Sequence, residues 1–240
     1  DGDTYQTNLT QQLSAKLPDG LTPEIIFHRL RRDHPAPFAA FIKRLDSIVV
    51  SASPERFFRV DADSHKISTS PIKGTRPRGN TPANDEQLAR ALRESAKNRA
   101  ENVMIVDLLR NDLGRVCETG SVKVRGLCEV ESFATVHHLV STVTGTLAAG
   151  LDALDALEAC FPGGSITGAP KRRAMQIIDE LEPHKRGSYG GAIGYLSYTG
   201  DLDTAIHIRT VVVKDGMVYV QAGGGTVADA KPDYEYEESV

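Results

Sequence analysis

The nine residues Pro71-Ile72-Lys73-Gly74-Thr75-Arg76-Pro77-Arg78-Gly79 constrain this chain more than any other stretch. They hold one lysine, two arginines, two prolines and two glycines. Proline fixes φ and lacks a donor while glycine loosens the chain, so neither a regular strand nor a helix is expected here. The preceding segment, His65-Lys66-Ile67-Ser68-Thr69-Ser70, alternates and reads as a strand. Lys73 is therefore expected where a strand gives way to a rigid cationic loop, with Arg76 and Arg78 adding positive potential around its ammonium. Neighbouring cations and partial burial turn a lysine from a point charge into a nucleophile or base. The alternative is that the three cations are solvated or hold a phosphate or carboxylate passively.

The chain of 240 residues is 40% hydrophobic and 25% charged, enough for a sizeable core. No Pro/Ser/Gly-rich linker or like-charge block divides it, so one domain over residues 1–240 is expected. Net charge is −4 with the basic residues dispersed, which argues against a nucleic-acid partner. Three scattered cysteines, Cys117, Cys128 and Cys160, read as reduced core thiols of a cytoplasmic protein. There is no signal peptide and no apolar run of membrane length, so no membrane association is expected. The start at Asp1 without a Met, and the helix start from Tyr234 to Val240 with nothing after it, suggest a fragment cut at both ends.

Residues 4–16 alternate and read as a strand with one polar face. Gln6 and Asn8, two apart, share that face and either line a pocket or are solvated amides. Thr22-Pro23-Glu24 opens a helix to about Arg32. Strands follow over 37–60, and the turn at Ser53-Pro54 places Glu55 at the start of the next one. Thr81-Pro82 opens a second helical stretch that runs to Gly114, with one break allowed. On it Glu101, Met104, Ile105 and Leu108 fall on one face. Glu101 is either at the core edge or binds a cation. Asp107, Arg110, Asn111 and Asp112 are expected to make local surface ion pairs.

Residues 121–147 read as two strands, and the adjacent His137 and His138 must point to opposite faces. After a short helix, Leu151 to Cys160, comes the glycine-rich loop Phe161 to Ala169. Gly163 and Gly168 have the outer spacing of a phosphate-binding P-loop, but Ala-Pro stands where Lys should follow. The helix from Pro170 to Leu181 begins with Lys171, Arg172 and Arg173, which opposes its dipole and marks a place for an anion. Residues 190–222 read as hairpins, with Arg209 mid-strand and able to hold a carboxylate by a bidentate fork. Gly223-Gly224-Gly225 end a strand as an anion nest or a flexible bend. Glu235 and Glu238 share one face of the last helix and could supply carboxylates to a cation. Carboxylates without Cys or His pairs suggest Mg²⁺ over zinc. The residues alone imply an Mg²⁺-dependent enzyme acting on a small polycarboxylate.

These segments together resemble the chorismate-utilising enzymes. The likeness rests on residues 2–11, Ser53 to Phe57, Pro71 to Gly79, Ala100 to Asp112, Val136 to Ser141, Phe161 to Lys171, Ile208-Arg209-Thr210 and Ala222 to Val227. It covers essentially the whole chain. The resemblance implies an α+β fold of two packed antiparallel β-sheets with helices on the outside, an anthranilate synthase-like fold with the active site between the sheets. It is closest to the p-aminobenzoate branch, in which ammonia from a glutamine amidotransferase partner replaces the chorismate 4-hydroxyl. Anthranilate synthases are similar too, but typically carry Ala where this chain has Lys73. By resemblance, Lys73 forms a covalent intermediate with the ring, and Glu55 is general acid and then base. Glu101 and Glu238 hold Mg²⁺ with Glu235 nearby. Arg209, Tyr195 and the amides of Gly223, Gly224 and Gly225 orient carboxylates; His138 faces the ring, Thr75 contacts substrate, and Gln6 and Asn8 line the pocket. Two alternatives are an anthranilate synthase large subunit and a non-catalytic chorismate-binding domain.

Overall fold

The computed structural model describes residues 2–228 and 230–239, apart from the side chains of Tyr234, Glu238 and Ser239. The elements begin with β1 (Gln6–Lys16), α1 (Pro23–Asp33), β2 (Phe38–Lys43), β3 (Ile48–Ser53), β4 (Arg56–Asp61), β5 (Lys66–Thr69) and β6 (Ile72–Pro77). Next come α2 (Pro82–Glu94), α3 (Ala96–Gly114), β7 (Lys123–Ser132), β8 (Val136–Thr146) and α4 (Ala153–Cys160). A 3₁₀ turn (Gly164–Ile166) leads into β9 (Gly168–Ala169), α5 (Lys171–Leu181), β10 (Ala192–Leu196) and β11 (Leu202–Ile206). The last three are β12 (Thr210–Lys214), β13 (Met217–Thr226) and α6 (Pro232–Ser239). The fold is α+β, with two antiparallel sheets. One has the order β2-β3-β12-β13-β1-β9; the other has the order β10-β11-β4-β5-β8-β6, with β7 also on β8. The chain divides into two compact units, residues 1–56, 162–193 and 205–240, and residues 57–161 and 194–204.

In the first unit the longest ladder joins β1 to β13, from Thr7↔Thr226 to Lys16↔Met217. The β12–β13 hairpin closes on Asp215 and Gly216, both at positive φ (50° and 73°), the mirror-image turn that suits strand twist. The expected unbroken strand through Arg209 is not formed. β11 ends at Ile206 and β12 begins at Thr210, because the chain leaves one sheet and enters the other. His207 to Arg209 make the bend, with Ile208 N–H bonded to Ile206 O at 2.9 Å and Arg209 at φ 47°.

In the second unit β8 is shared. β7 pairs with one edge, and β5 and β6 lie end to end along the other. The stretch from Pro71 to Gly79, expected to be irregular, is thus mostly strand. Its prolines stand just before β6 and at its last residue, where a missing donor removes little of the ladder. Pro71 still contributes its carbonyl, which accepts from Ser141 N at 3.2 Å.

The helices start as capping chemistry requires. Thr22 and Thr81 accept from Ile25 N and Asn84 N in front of a proline, and Ser95 makes the break between α2 and α3 by capping the latter. The buried face of α3 is Asn102, Ile105, Val106, Leu109, Asp112 and Leu113, so the expected stripe through Glu101, Met104 and Leu108 is rotated. The cause is polar: Asn102 donates to Leu139 O on β8 (3.3 Å) and accepts from Ser141 Oγ. Asp112, expected on the surface, is buried; Asp107 and Arg110 do pair there, at 2.8 Å. All three cysteines are buried and free, and burial pushes the Cys117 thiol up to about 11. Among the described residues no helix is long and apolar enough to cross a membrane. Leu92 of α2 is fully buried with Cys128 and Leu139. Leu92→Ala should lower stability by about 3 kcal/mol through lost burial and a residual cavity, read as a lower midpoint in urea unfolding.

Candidate active site

The register of β6 with β8 places Lys73 in a specific irregularity. Ile72 faces Val140, but Thr75 faces His138, so one extra residue lies between them. Lys73 and Gly74 form this bulge, a device that re-aims a side chain from a regular ladder. Gly74 has φ 95°, and a Cβ there would meet Asn98 at 2.8 Å and Leu92 at 3.0 Å. A side chain at 74 is therefore excluded twice, by backbone conformation and by the helices beneath. Lys73 is half-buried, and among the described residues no hydrogen bond or ion pair holds its amine.

The other cations of the motif behave differently. Arg78 grips Asp85 with a fork of 2.8 and 2.7 Å and donates to Phe133 O at 2.6 Å. The Arg78 guanidinium, with the Gly79 amide, holds the Asp85 carboxyl well below the usual carboxylate range. Its charge is thereby balanced, so the expected contribution of Arg78 to the potential around Lys73 is not available. Arg76 is exposed. The histidine pair splits as its strand parity requires. His137, 1% exposed, lies between Ser132 Oγ (2.8 Å) and Asp85 Oδ1 (3.0 Å), a structural role. His138 contacts Thr75 Oγ1 through Nδ1 at 2.9 Å and stacks edge-on with Phe133. In this unit Glu101 stands part-buried on α3 and Tyr195 is 63% exposed on β10.

The first unit builds its polar cluster around Glu55. This carboxylate is buried between β3 and β4, and Ser165 Oγ donates to its Oε1 at 2.8 Å. Its backbone carbonyl accepts from Ile206 N at 3.0 Å. Gln6 and Asn8 are buried on the same strand, 2% and 6% exposed. Among the described residues Gln6 Oε1 and Asn8 Oδ1 have no hydrogen-bond partner, and Asn8 Nδ2 reaches Ser165 O only at 3.5 Å. Two buried acceptors left unmet are costly for the fold alone, which points to a donor supplied from outside.

Gly223 to Gly225 lie inside β13 and are extended, without the left-handed conformations of a nest. Their reason is close approach: a Cβ on Gly223 would strike the Leu9 carbonyl, and one on Gly225 would overlap the Gln6 amide. The β12 register ends at Val220, so this run is laddered to β1. Arg209 is exposed at the bend. Of the cations opening α5, Arg173 is committed to Asp3 (2.8 Å) and Glu180 (3.4 Å).

The residues expected to hold a metal, Glu101, Glu235 and Glu238, are each hard carboxylates, the donor type that Mg²⁺ takes. Glu235 Oε2 stands beside Gly224, where a Cβ would be 3.1 Å away. The Glu238 side chain lies outside the described residues. Among the described residues no three His, Cys, Asp or Glu side chains cluster as a metal site.

Ser165, Glu182, Arg186 and His207 were not reached from the sequence. Ser165 lies in the glycine-rich loop already singled out; its hydroxyl three residues before Gly168 was the available signal. Glu182 and Arg186 are four apart just past α5 and form a part-buried pair at 2.6 Å. His207 donates through Nδ1 to Ser188 O at 2.6 Å and borders a cavity of about 30 Å³ with Arg186, Tyr189 and Gln221.

The family described as chorismate binding enzyme matches residues 1–240. An aminodeoxychorismate synthase component 1 from Salmonella typhimurium is 54% identical over 99% of this chain and 52% of its own length. An anthranilate synthase component 1 from Thermus thermophilus is 47% identical over 99% of this chain and 50% of its own. Among solved structures, anthranilate synthase component I from Streptococcus pneumoniae superposes with a TM-score of 0.89 at 44% identity, covering 99% of this chain and 52% of that one. This chain spans about half the length of these relatives.

Burial lowers the pKa of His207 below its ordinary value, so the folded protein resists a proton that the unfolded chain accepts. The stability this supplies is present above about pH 6.5 and declines as pH falls towards the lowered native value. Unfolding free energy measured from pH 7.5 to 5 should fall, and His207→Gln should flatten that slope.

Proposed function

We propose that this chain, which belongs to the chorismate binding enzyme family, carries the catalytic residues for amination of chorismate to 4-amino-4-deoxychorismate. The observation that carries the reading is Lys73, set in a bulge and held by no ion pair among the described residues, at the position where the resemblance puts Ala in anthranilate synthases. The identity of 54% to an aminodeoxychorismate synthase component 1 supports the same branch.

In this reading the Lys73 amine forms a C–N bond to the ring as the 4-hydroxyl leaves. Glu55 gives a proton to the departing oxygen, so water is released. Ammonia then bonds to the ring carbon that lost the hydroxyl, the lysine C–N bond breaks, and the Glu55 carboxylate takes a proton from the incoming nitrogen. Ser165 orients Glu55 for both transfers. The unmet oxygens of Gln6 and Asn8 suit the N–H groups of ammonia. Arg209, Tyr195 and the Gly223–Gly225 amides hold the substrate carboxylates, while His138 and Thr75 line the ring. Glu101 and Glu238, with Glu235 nearby, would hold Mg²⁺, which when bound neutralises a substrate carboxylate. The name component 1 among the relatives supports a second subunit; in this reading that subunit is a glutamine amidotransferase supplying the ammonia, and the reaction serves folate synthesis in the cytoplasm.

The natural full-length protein given chorismate, ammonium and Mg²⁺ should form 4-amino-4-deoxychorismate. Anthranilate with pyruvate release would overturn this and favour the other branch, which the 47% identity to an anthranilate synthase keeps in view. Lys73→Ala should abolish product with the circular dichroism spectrum unchanged. For the metal, Glu101→Gln should raise the Mg²⁺ concentration for half-maximal rate by at least about tenfold, since even outer-shell changes cost that much; an unaltered titration would remove Glu101 from the site.

A further inference from the structure

The ladder between β1 and β9 is short. It pairs Gln6 with Ala169 and Thr7 with Gly168, and it is flanked by backbone bonds from Tyr5 N to Ala169 O at 2.7 Å and, at its far end, from Asn8 N to Thr167 O at 2.9 Å. Beyond that bond, side chains take the place of a strand. Arg186 Nη2 donates to the Asn8 carbonyl at 2.6 Å. Glu182 Oε1 accepts from Thr10 N at 2.8 Å and Thr10 Oγ1 at 2.7 Å. Residues two apart on a strand present their N–H and C=O groups to the same edge, so the acid and the base cap adjacent positions of one edge.

The pair also reaches the catalytic carboxylate. Arg186 Nη1 donates to Ile166 O at 2.5 Å, the residue directly after Ser165. Ser165 in turn donates to Glu55. One guanidinium thus fastens the Asn8 carbonyl to the turn that orients Glu55, while two more of its bonds go to Glu182 at 2.9 and 2.6 Å. The side chains are 14% and 6% exposed. An ion pair largely withdrawn from water is a poor stabiliser compared with apolar packing, so its value lies in geometry. A lysine could satisfy Glu182 but not fork to both carbonyls.

We infer that Arg186, backed by Glu182, is a positioning residue that sets the placement of Ser165 and Asn8 and, through Ser165, the orientation of the Glu55 carboxylate. The inference rests on the reading of Glu55 as general acid and base.

The test is steady-state kinetics of Arg186→Lys in the natural full-length protein, with chorismate, ammonium and Mg²⁺. kcat should fall about 10- to 100-fold, the effect of a small misplacement, with KM for chorismate held within about twofold. Ser165→Ala combined with Arg186→Lys should lose clearly less than the product of the two single losses, because both act on the Ser165–Glu55 hydrogen bond. If Arg186→Lys does not fold, Glu182→Gln carries the same comparison, with a smaller fall in kcat at unchanged KM. A folded variant with wild-type kcat, or fully additive losses, overturns the proposal. Glu55→Gln separates the two readings: if it stays active, the acid–base role falls and the inference with it, whereas an inactive Glu55→Gln beside an active Arg186→Lys removes the inference alone.

Discussion

A backbone N–H or C=O buried without a partner costs about 1–3 kcal/mol, so a buried strand edge has to be completed by something. Two edges in this protein are completed in unusual ways, and each completion sets a functional side chain. One edge of β8 is too long for β5, so β6 continues it after Ser70-Pro71. The join does not keep step, and the extra residue falls at Lys73-Gly74. One edge of β1 outlasts β9, and a part-buried arginine and glutamate continue it. The catalytic candidates are thus consequences of pairing rather than additions to it.

Charge is divided by the same logic. Arg78, Arg173 and Arg186 each have carboxylate partners and serve the fold. Lys73 has none among the described residues. An amine already paired to a carboxylate is a poor nucleophile, because attack must first break that pair. Neutralising Arg78 with Asp85 also removes a cation from the motif without removing the fork that ties the end of β6 to α2. The glycine run follows a steric version of this rule: Gly223 and Gly225 are small so that Leu9 and the Gln6 amide can lie against β13.

Much of this was legible in the chain. The caps at Thr22 and Thr81 and the turn at Asp215-Gly216 are local signals, and the elements they bound are where those signals put them, while the break allowed before Gly114 was placed at Ser95 only by the structure. The opposite facing of His137 and His138 follows from strand parity. The misreadings came where a local signal met a distant partner. Pro71 and Pro77 argued against a strand, but β8 needed one there. The apolar residues of α3 suggested a stripe through Glu101, but Leu139 and Ser141 drew Asn102 inward. Arg209 looked like a mid-strand residue because nothing nearby in sequence says that the chain changes sheets there.

The site divides in the same way. Residue types alone singled out a lysine in a glycine-proline frame, a set of oxygen donors and an amide pair on one strand face, since these depend on chemistry that each side chain carries with it; that the two amides are buried came only with the fold. The hydrogen bond between Ser165 and Glu55 spans 110 positions, and the bond from Arg186 to Asn8 spans 178. No periodicity or spacing encodes such separations. They exist because distant strands and turns share backbone groups that must be satisfied, and the side chains that satisfy them are chosen only once the sheet is assembled.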